Sequence, residues 1–192
     1  MVNTDYKILA RIMANRIRPT LEELLHPRQY CGRPGNTIFE ALSTLREAVA
    51  FAEVTRKPLC IISLDFGEAF DRISHKYLLA IFDSYGFSDT FVERIQHMYD
   101  SATSMVQVNA PFPLQCSVRQ GCPRSIMLFE LCISPFIHCL EQQLRGIRVS
   151  RRQRKAGVVA YADDVTIFVT EPEEITASGE ALSSYEKATG AT

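Results

Sequence analysis

Two adjacent acids, Asp163 and Asp164, interrupt an otherwise apolar run, VVAYADDVTIFV, over residues 158–169. An unpaired charge in apolar surroundings is strongly unfavourable, so the pair needs solvent or a cation to neutralise it. Carboxylate oxygens bind Mg²⁺ together with phosphate oxygens and water. Two such ions, about 3.5–4 Å apart, can clamp the attacking and leaving oxygens of a phosphoryl transfer. The pair therefore indicates either a metal-dependent phosphoryl-transfer site or a solvated turn.

A third acid, Asp65, is the best candidate to complete such a site, because two ions need carboxylates from more than one strand. Asp65 ends the apolar run LCIISLD (59–65), which predicts a buried strand whose end brings the charge to a rim. The alternative role for Asp65 is to cap a helix or turn. The run 158–169 itself predicts two strands joined at the acids, since aspartate tolerates the left-handed backbone of a tight turn.

Helices surround these strands in the predicted order of elements. Apolar spacing predicts a helix from Asp5 to about Arg18, which Pro19 breaks or restarts, with a short helix over 20–25. Thr37 and Glu40 form a capping-box pattern for a helix to about Glu53. The other predicted elements are helices over 74–85, 88–99, 124–145 (kinked near Pro135) and 172–189, and a hairpin within 104–118. This order predicts an α+β fold, a small antiparallel sheet with helices against one face.

Composition narrows the class of protein. The chain has 192 residues, 46% hydrophobic and 22% charged, and a net charge of −1, so the molecule as a whole is not a basic nucleic-acid binder. Six cysteines without a CxxC spacing argue against structural zinc and for an intracellular setting, nuclear or cytoplasmic. The longest apolar stretch is too short to span a bilayer, so no membrane partner is expected. A basic run over 145–155 is either a solvated loop or a contact with phosphates.

Three blocks, in this order, resemble reverse transcriptases of the non-LTR (LINE-type) retrotransposon family: SLDFGEAFDRISHKYL (63–78), SVRQGCPRSIMLF (117–129) and AYADDVTIFV (160–169). Residues 3–38 resemble the finger-side motifs of that family, so the resemblance covers essentially the whole chain. It implies a right-hand polymerase fold. Residues 1–58 would be partial fingers with finger–palm helices, and residues 59–192 a palm subdomain that is incomplete at its C-terminal end. The thumb would be absent, and the whole would be a single reverse transcriptase domain.

The resemblance also implies a set of site residues. Asp65, Asp163 and Asp164 match the family's catalytic acids, and with Phe66 they would hold two Mg²⁺ ions, for which Mn²⁺ can substitute. Phe70 matches the aromatic residue that excludes a 2′-hydroxyl, although the residues alone favour a core aromatic there. The implied nucleotide-binding residues are Phe66, Gly67, Glu68, Ala69, Phe70, Gln120 and Gly121. The implied primer and template residues are Tyr161, Arg119, Arg151 and Arg152.

The activity that the resemblance implies is RNA-directed DNA polymerisation, with an RNA template, a DNA primer and a dNTP as partners. The family's upstream finger segment and thumb are expected to lie outside this chain and to be supplied only in a longer parent protein. One alternative is a catalytically inactive retrotransposon relic that only binds nucleic acid. Another is an interaction protein that pairs with a second chain through the unfinished palm.

Overall fold

The structure is a computed structural model that describes residues 4–33, 35–67, 69–100, 103–104, 112–113, 125–149 and 154–190. The helices are α1 (Thr4–Leu24), α2 (Ile38–Thr55), α3 (His75–Ser84), α4 (Asp89–Asp100), α5 (Ser125–Gln143) and α6 (Glu173–Thr189). The strands are β1 (Cys60–Leu64), β2 (Thr103–Ser104), β3 (Phe112–Pro113), β4 (Ile147–Val149), β5 (Arg154–Ala156), β6 (Val158–Tyr161) and β7 (Asp164–Val169). Within this described part, no helix is both long and apolar enough to cross a membrane.

A three-stranded antiparallel sheet, in the order β1–β7–β6, forms the centre of the fold. The predicted hairpin over 158–169 is confirmed, because β6 and β7 pair from Val158 opposite Ile167 to Tyr161 opposite Asp164. Two smaller antiparallel pairs, β2–β3 and β4–β5, complete the strands. The β2–β3 pair belongs to the predicted hairpin, whose remaining residues lie outside the described ranges.

Side chains on the two faces of the sheet enter two different cores, as the period of two in a strand requires. Val158 and Ala160 belong to the main core, to which α1, α3 and α5 contribute, whereas Val159 belongs to a second core. In the second core, alanines of α2 pack with Val159 and Phe168. The predicted α+β fold is confirmed, with the addition that α2 covers part of the second sheet face.

Helix α1 continues through Pro19 to Leu24, so the predicted break at this proline is wrong. Its buried residues Met13, Ile17 and Leu21 recur at every fourth position and extend the apolar stripe past the proline. The Thr20 hydroxyl, just after the proline, donates to the Ile17 carbonyl at 2.7 Å. Packing of the stripe therefore outweighs the local preference.

Strand β1 is not buried as predicted, because it lies at the edge of the sheet and alternates between half-buried and exposed residues. Its inward residues Ile62 and Leu64 pack on the main core, while Ile61 is 40% exposed.

The predicted starts of two helices are confirmed. The Thr37–Glu40 capping box starts α2, and Ser74 caps α3, which Gly86 follows with a φ of +74°.

Candidate active site

The three candidate acids lie at one end of the sheet. Register sets Tyr161 opposite Asp164, and Leu64 opposite Val165. Extending the second register by one residue brings Asp65 next to Asp164. Directly opposed residues point to the same face, so Tyr161, Asp164 and Asp65 form one row, with Asp163 in the adjoining turn. Asp65 and Asp164 are exposed and Asp163 is half-buried.

The turn between β6 and β7 consists of Ala162 and Asp163, and its left-handed residue is Ala162, with a φ of +55°. The expectation that an aspartate would take this conformation is wrong. A buried side chain, Gln29, compensates for the unfavourable backbone. Its amide nitrogen donates to the Ala162 carbonyl at 3.0 Å, and its amide oxygen accepts from the Ala162 N–H at 3.0 Å. Gln29 thus fixes the turn that carries Asp163.

The segment around Gln29 is also attached to β6 by backbone hydrogen bonds. The Tyr30 N–H donates to the Ala160 carbonyl, and the Ala160 N–H donates to the Arg28 carbonyl, both at 2.9 Å. The Gln29 amide oxygen accepts a further bond from the Cys31 N–H at 3.2 Å. Residues 28–31 therefore act as a short extra strand beside β6. No local sequence signal indicates this role, because the partners are 133 residues apart.

A buried carboxyl, Glu130 of α5, lies beneath this segment and is fully inaccessible to solvent. A Cβ atom on Gly32, which has a φ of +71°, would overlap this carboxylate, so the position requires glycine. Burial raises the pKa of Glu130 to about 7, and the Cys31 thiol partly opposes that rise. A thiol is a weak donor, and among the described residues neither Glu130 oxygen accepts a well-formed hydrogen bond.

Cys31 lies between Glu130 and Tyr161 and so connects the buried carboxyl to the acidic row, which consists of Tyr161, Asp164 and Asp65 with Asp163 in the adjoining turn. Burial, followed by the neighbouring Glu130, raises the pKa of the Cys31 thiol to about 12. The pKa of Tyr161 is raised as well, first by Cys31 and then by burial and by Glu130. Glu130 inside the apolar run of α5 was the sequence signal that could have revealed this cluster.

We expect Glu130 to make the stability of the fold depend on pH. Its pKa rises from an ordinary 4.5 to about 7 on folding, so between these values the folded state holds a proton that the unfolded state has released. Stability therefore falls as pH rises through this interval, by about 3 kcal/mol in total. Urea unfolding should show that the free energy of unfolding of Glu130→Gln, relative to that of the wild type, increases by about this amount between pH 4.5 and pH 8. The exposed control Glu180→Gln should show no such change in relative stability. If Glu130→Gln differed from the wild type by the same free energy at both pH values, Glu130 would not be the source of the pH dependence.

The residues after Asp65 are split between the core and the surface. The half-buried Phe66 ring packs edge-on against Phe136 and Tyr185, each 5.9 Å away. Phe70 is half-buried, and its ring lies 4.7 Å from that of Phe129. Gly67 is exposed and Ala69 buried. A cavity of about 350 Å³ opens beside Asp65, between this turn and α6.

The backbone brings the three acids that were predicted to hold metal to one end of the sheet, but their side chains do not converge. Among the described residues, no three His, Cys, Asp or Glu side chains are grouped closely enough to hold a metal ion. The predicted site residues that lie outside the described ranges are Glu68, Arg119, Gln120, Gly121, Arg151 and Arg152. Their roles therefore stay predictions.

Comparison with known proteins decides the family. The family model described as reverse transcriptase (RNA-dependent DNA polymerase) matches residues 1–192, the whole chain. The chain belongs to the reverse transcriptase family. One similar protein, from the Xenopus laevis transposon TX1 and described as an uncharacterized 149 kDa protein, is 35% identical over 195 residues. That alignment covers 100% of this chain and 15% of the relative.

A second similar protein is the retrovirus-related Pol polyprotein from the type-1 retrotransposable element R2 of Popillia japonica. It is 27% identical over 169 residues, which cover 84% of this chain and 23% of that protein. These relatives confirm the resemblance of this reverse transcriptase chain to the non-LTR retrotransposon family. The chain spans less than a quarter of the length of either relative.

Solved telomerase structures share the fold of this reverse transcriptase chain. The apo telomerase of Candida tropicalis, truncated from its C-terminal domain, matches with a TM-score of 0.57 over 96% of this chain and 37% of its own. The telomerase of Candida albicans, in complex with a TWJ fragment of telomeric RNA, matches with a TM-score of 0.60 over 95% and 32%. At 14% identity, both matches show the fold alone, which is the predicted right-hand polymerase fold.

Proposed function

We propose that this reverse transcriptase domain extends a DNA primer on an RNA template, transferring nucleotides from dNTPs to the primer 3′-hydroxyl. The observation that carries the proposal is the acidic row at one end of the sheet, where the strand register sets Asp65 beside Asp164. The turn that Gln29 fixes through Ala162 carries Asp163 next to this row. Most residues of β6 and β7 below the row are buried, whereas the carboxylates themselves reach solvent. They are therefore accessible to a charged ligand.

The donor chemistry of the row fits a divalent metal. Mg²⁺ is usually held by one or two carboxylates together with substrate phosphates and water, so it does not need a preformed cage of three protein ligands. Asp65, Asp163 and Asp164 would hold it, with Phe66 contributing through its backbone. Two Mg²⁺ ions, or Mn²⁺ in their place, supply charge neutralisation at the attacking and leaving oxygens when bound.

The remaining residues position the substrates in this proposal. Tyr161, which is paired with Asp164 in the same row, contacts the primer end in this proposal. Phe70 excludes a 2′-hydroxyl, held in place by its contact with Phe129. The other proposed nucleotide-binding residues are Gly67, Glu68, Ala69, Gln120 and Gly121, and the other primer and template residues are Arg119, Arg151 and Arg152. Residues 1–58 serve as partial fingers and residues 59–192 as the palm.

Primer extension tests this function. The purified chain is mixed with dNTPs, Mg²⁺ and a DNA primer annealed to an RNA template, and the primer is expected to lengthen. Removal of the metal with EDTA is expected to stop extension. Absence of extension, together with template–primer binding that is indifferent to Mg²⁺, would overturn the proposal and favour a relic that only binds nucleic acid.

A further inference from the structure

A second cleft, of about 630 Å³, lies at the end of the sheet opposite the acidic row. Its lining comes from the end of α2, the residues before β1, the β4–β5 hairpin and the residues after β7. Pro58 lines this cleft, while Asp65 lies beyond the other end of β1. At a rise of about 3.3 Å per residue, the cleft is roughly 20 Å from the acids and is a separate site.

The cleft, which we call the basic cleft, has four cations in its lining, Lys57, Arg145, Arg148 and Lys155, and one carboxylate, Glu171. Glu171 is paired with Arg145, at 3.2 Å between Oε1 and Nη1. Within the described residues, this pair leaves Lys57, Arg148 and Lys155 without a carboxylate partner. The basic cleft therefore keeps a net positive charge that an anionic ligand can neutralise.

The fold places two of these cations at directly opposed positions. Arg148 of β4 and Lys155 of β5 are directly opposed in the antiparallel register, and both are exposed. Like charges at directly opposed positions destabilise a pair of strands. The Arg28 guanidinium also donates to the Lys155 carbonyl, and Arg28 is in turn paired with Glu141, which fixes the backbone of Lys155 in this position. An anion between the two cations would turn repulsion into attraction.

We propose that the basic cleft binds the sugar–phosphate backbone of a single nucleic-acid strand, away from the acidic row. Several phosphates in sequence match several cations, which a single small anion cannot do. The lining also contains Phe51, and proteins that bind single strands combine basic grooves with aromatic side chains. The distance of roughly 20 Å to the acids corresponds to about six phosphates of one strand. The basic cleft would thus hold a strand at a distance from the polymerising end.

Binding of a fluorescent single-stranded RNA, measured by anisotropy against salt concentration in EDTA, tests the proposal. In the double variant Arg148→Gln/Lys155→Gln, the slope of log affinity against log salt should be less steep by about 1.4. This change corresponds to about tenfold weaker binding at 0.15 M salt. The matched control is Lys76→Gln/Arg94→Gln, which removes one lysine and one arginine that are exposed on α3 and α4. The control should bind like the wild type.

Equal weakening in both double variants would overturn the proposal, because it would show an effect of net charge alone. An unchanged affinity in the basic-cleft variant would also overturn it. Titration with a fluorescent dNTP separates a strand from a free triphosphate: the variant should bind dNTP normally, and a matching loss would assign the basic cleft to nucleotides instead. Because binding is measured without metal or turnover, the result is independent of polymerase activity.

Discussion

Asp163→Asn is expected to extend an RNA-templated primer at least about 1,000-fold more slowly than the wild type. The amide keeps the size of the side chain and suits the same turn, but it lacks the negative charge that a divalent cation requires. Loss of one carboxylate from such a site removes several kcal/mol of transition-state stabilisation, and each 1.36 kcal/mol is a factor of ten in rate. Single-nucleotide extension under saturating dNTP measures the effect.

The matched control for this variant is Asp83→Asn, which removes one carboxylate from an exposed position on α3. It has the same charge change and should extend the primer at the rate of the wild type. Asp163→Asn extension as fast as that of the control would contradict the assignment of Asp163 to the metal site.

Gln29→Leu is expected to reduce kcat about 100-fold while the KM for dNTP changes little. Gln29 touches no substrate in the proposed reaction; it is a positioning residue that acts through Ala162. Leucine removes both bonds to the strained turn, so Asp163 is no longer held in one place. A displacement of about 1 Å at a reacting centre can cost a factor of 100 in rate. A merely structural role would lower the amount of folded protein and leave kcat per folded molecule unchanged.

Gln29→Glu keeps this prediction testable if the leucine variant unfolds. The carboxylate still accepts from the N–H groups of Ala162 and Cys31, but it cannot donate to the Ala162 carbonyl. Its kcat should lie between those of the wild type and the leucine variant. Urea unfolding of each variant gives the folded fraction, and a normal kcat in folded Gln29→Leu would contradict the positioning role.

Local features of the fold could be predicted because they depend on residues close in sequence. The capping box needs only Thr37 and Glu40, and the hairpin needs two short apolar runs around Asp163 and Asp164. The break at Pro19 was wrong for the opposite reason. Whether a proline ends a helix depends on what the following turn packs against, and the burial of Leu21 in the main core decides that here.

The acids of the candidate site could be predicted from the sequence, whereas the residue that fixes their turn, Gln29, could not. An acid pair in an apolar run is visible in sequence, whereas Gln29 becomes meaningful only when the chain brings it to Ala162. The basic cleft was equally hidden, because Lys57 is remote in sequence from the basic run over 145–155. Strand pairing within the sheet and between β4 and β5 brings the segments of the site and of the basic cleft together. No local sequence pattern predicts this pairing.

Metal binding at the acidic row is the measurement that tests the central claim most directly. Binding of Mn²⁺ in the presence of dNTP can be followed by its electron paramagnetic resonance signal for the wild type, Asp65→Asn, Asp163→Asn and the control Asp83→Asn. We predict that the two site variants bind Mn²⁺ at least about tenfold more weakly than the wild type and the control. Equal affinity in all four proteins would show that Asp65 and Asp163 do not share a metal site, which would contradict the account.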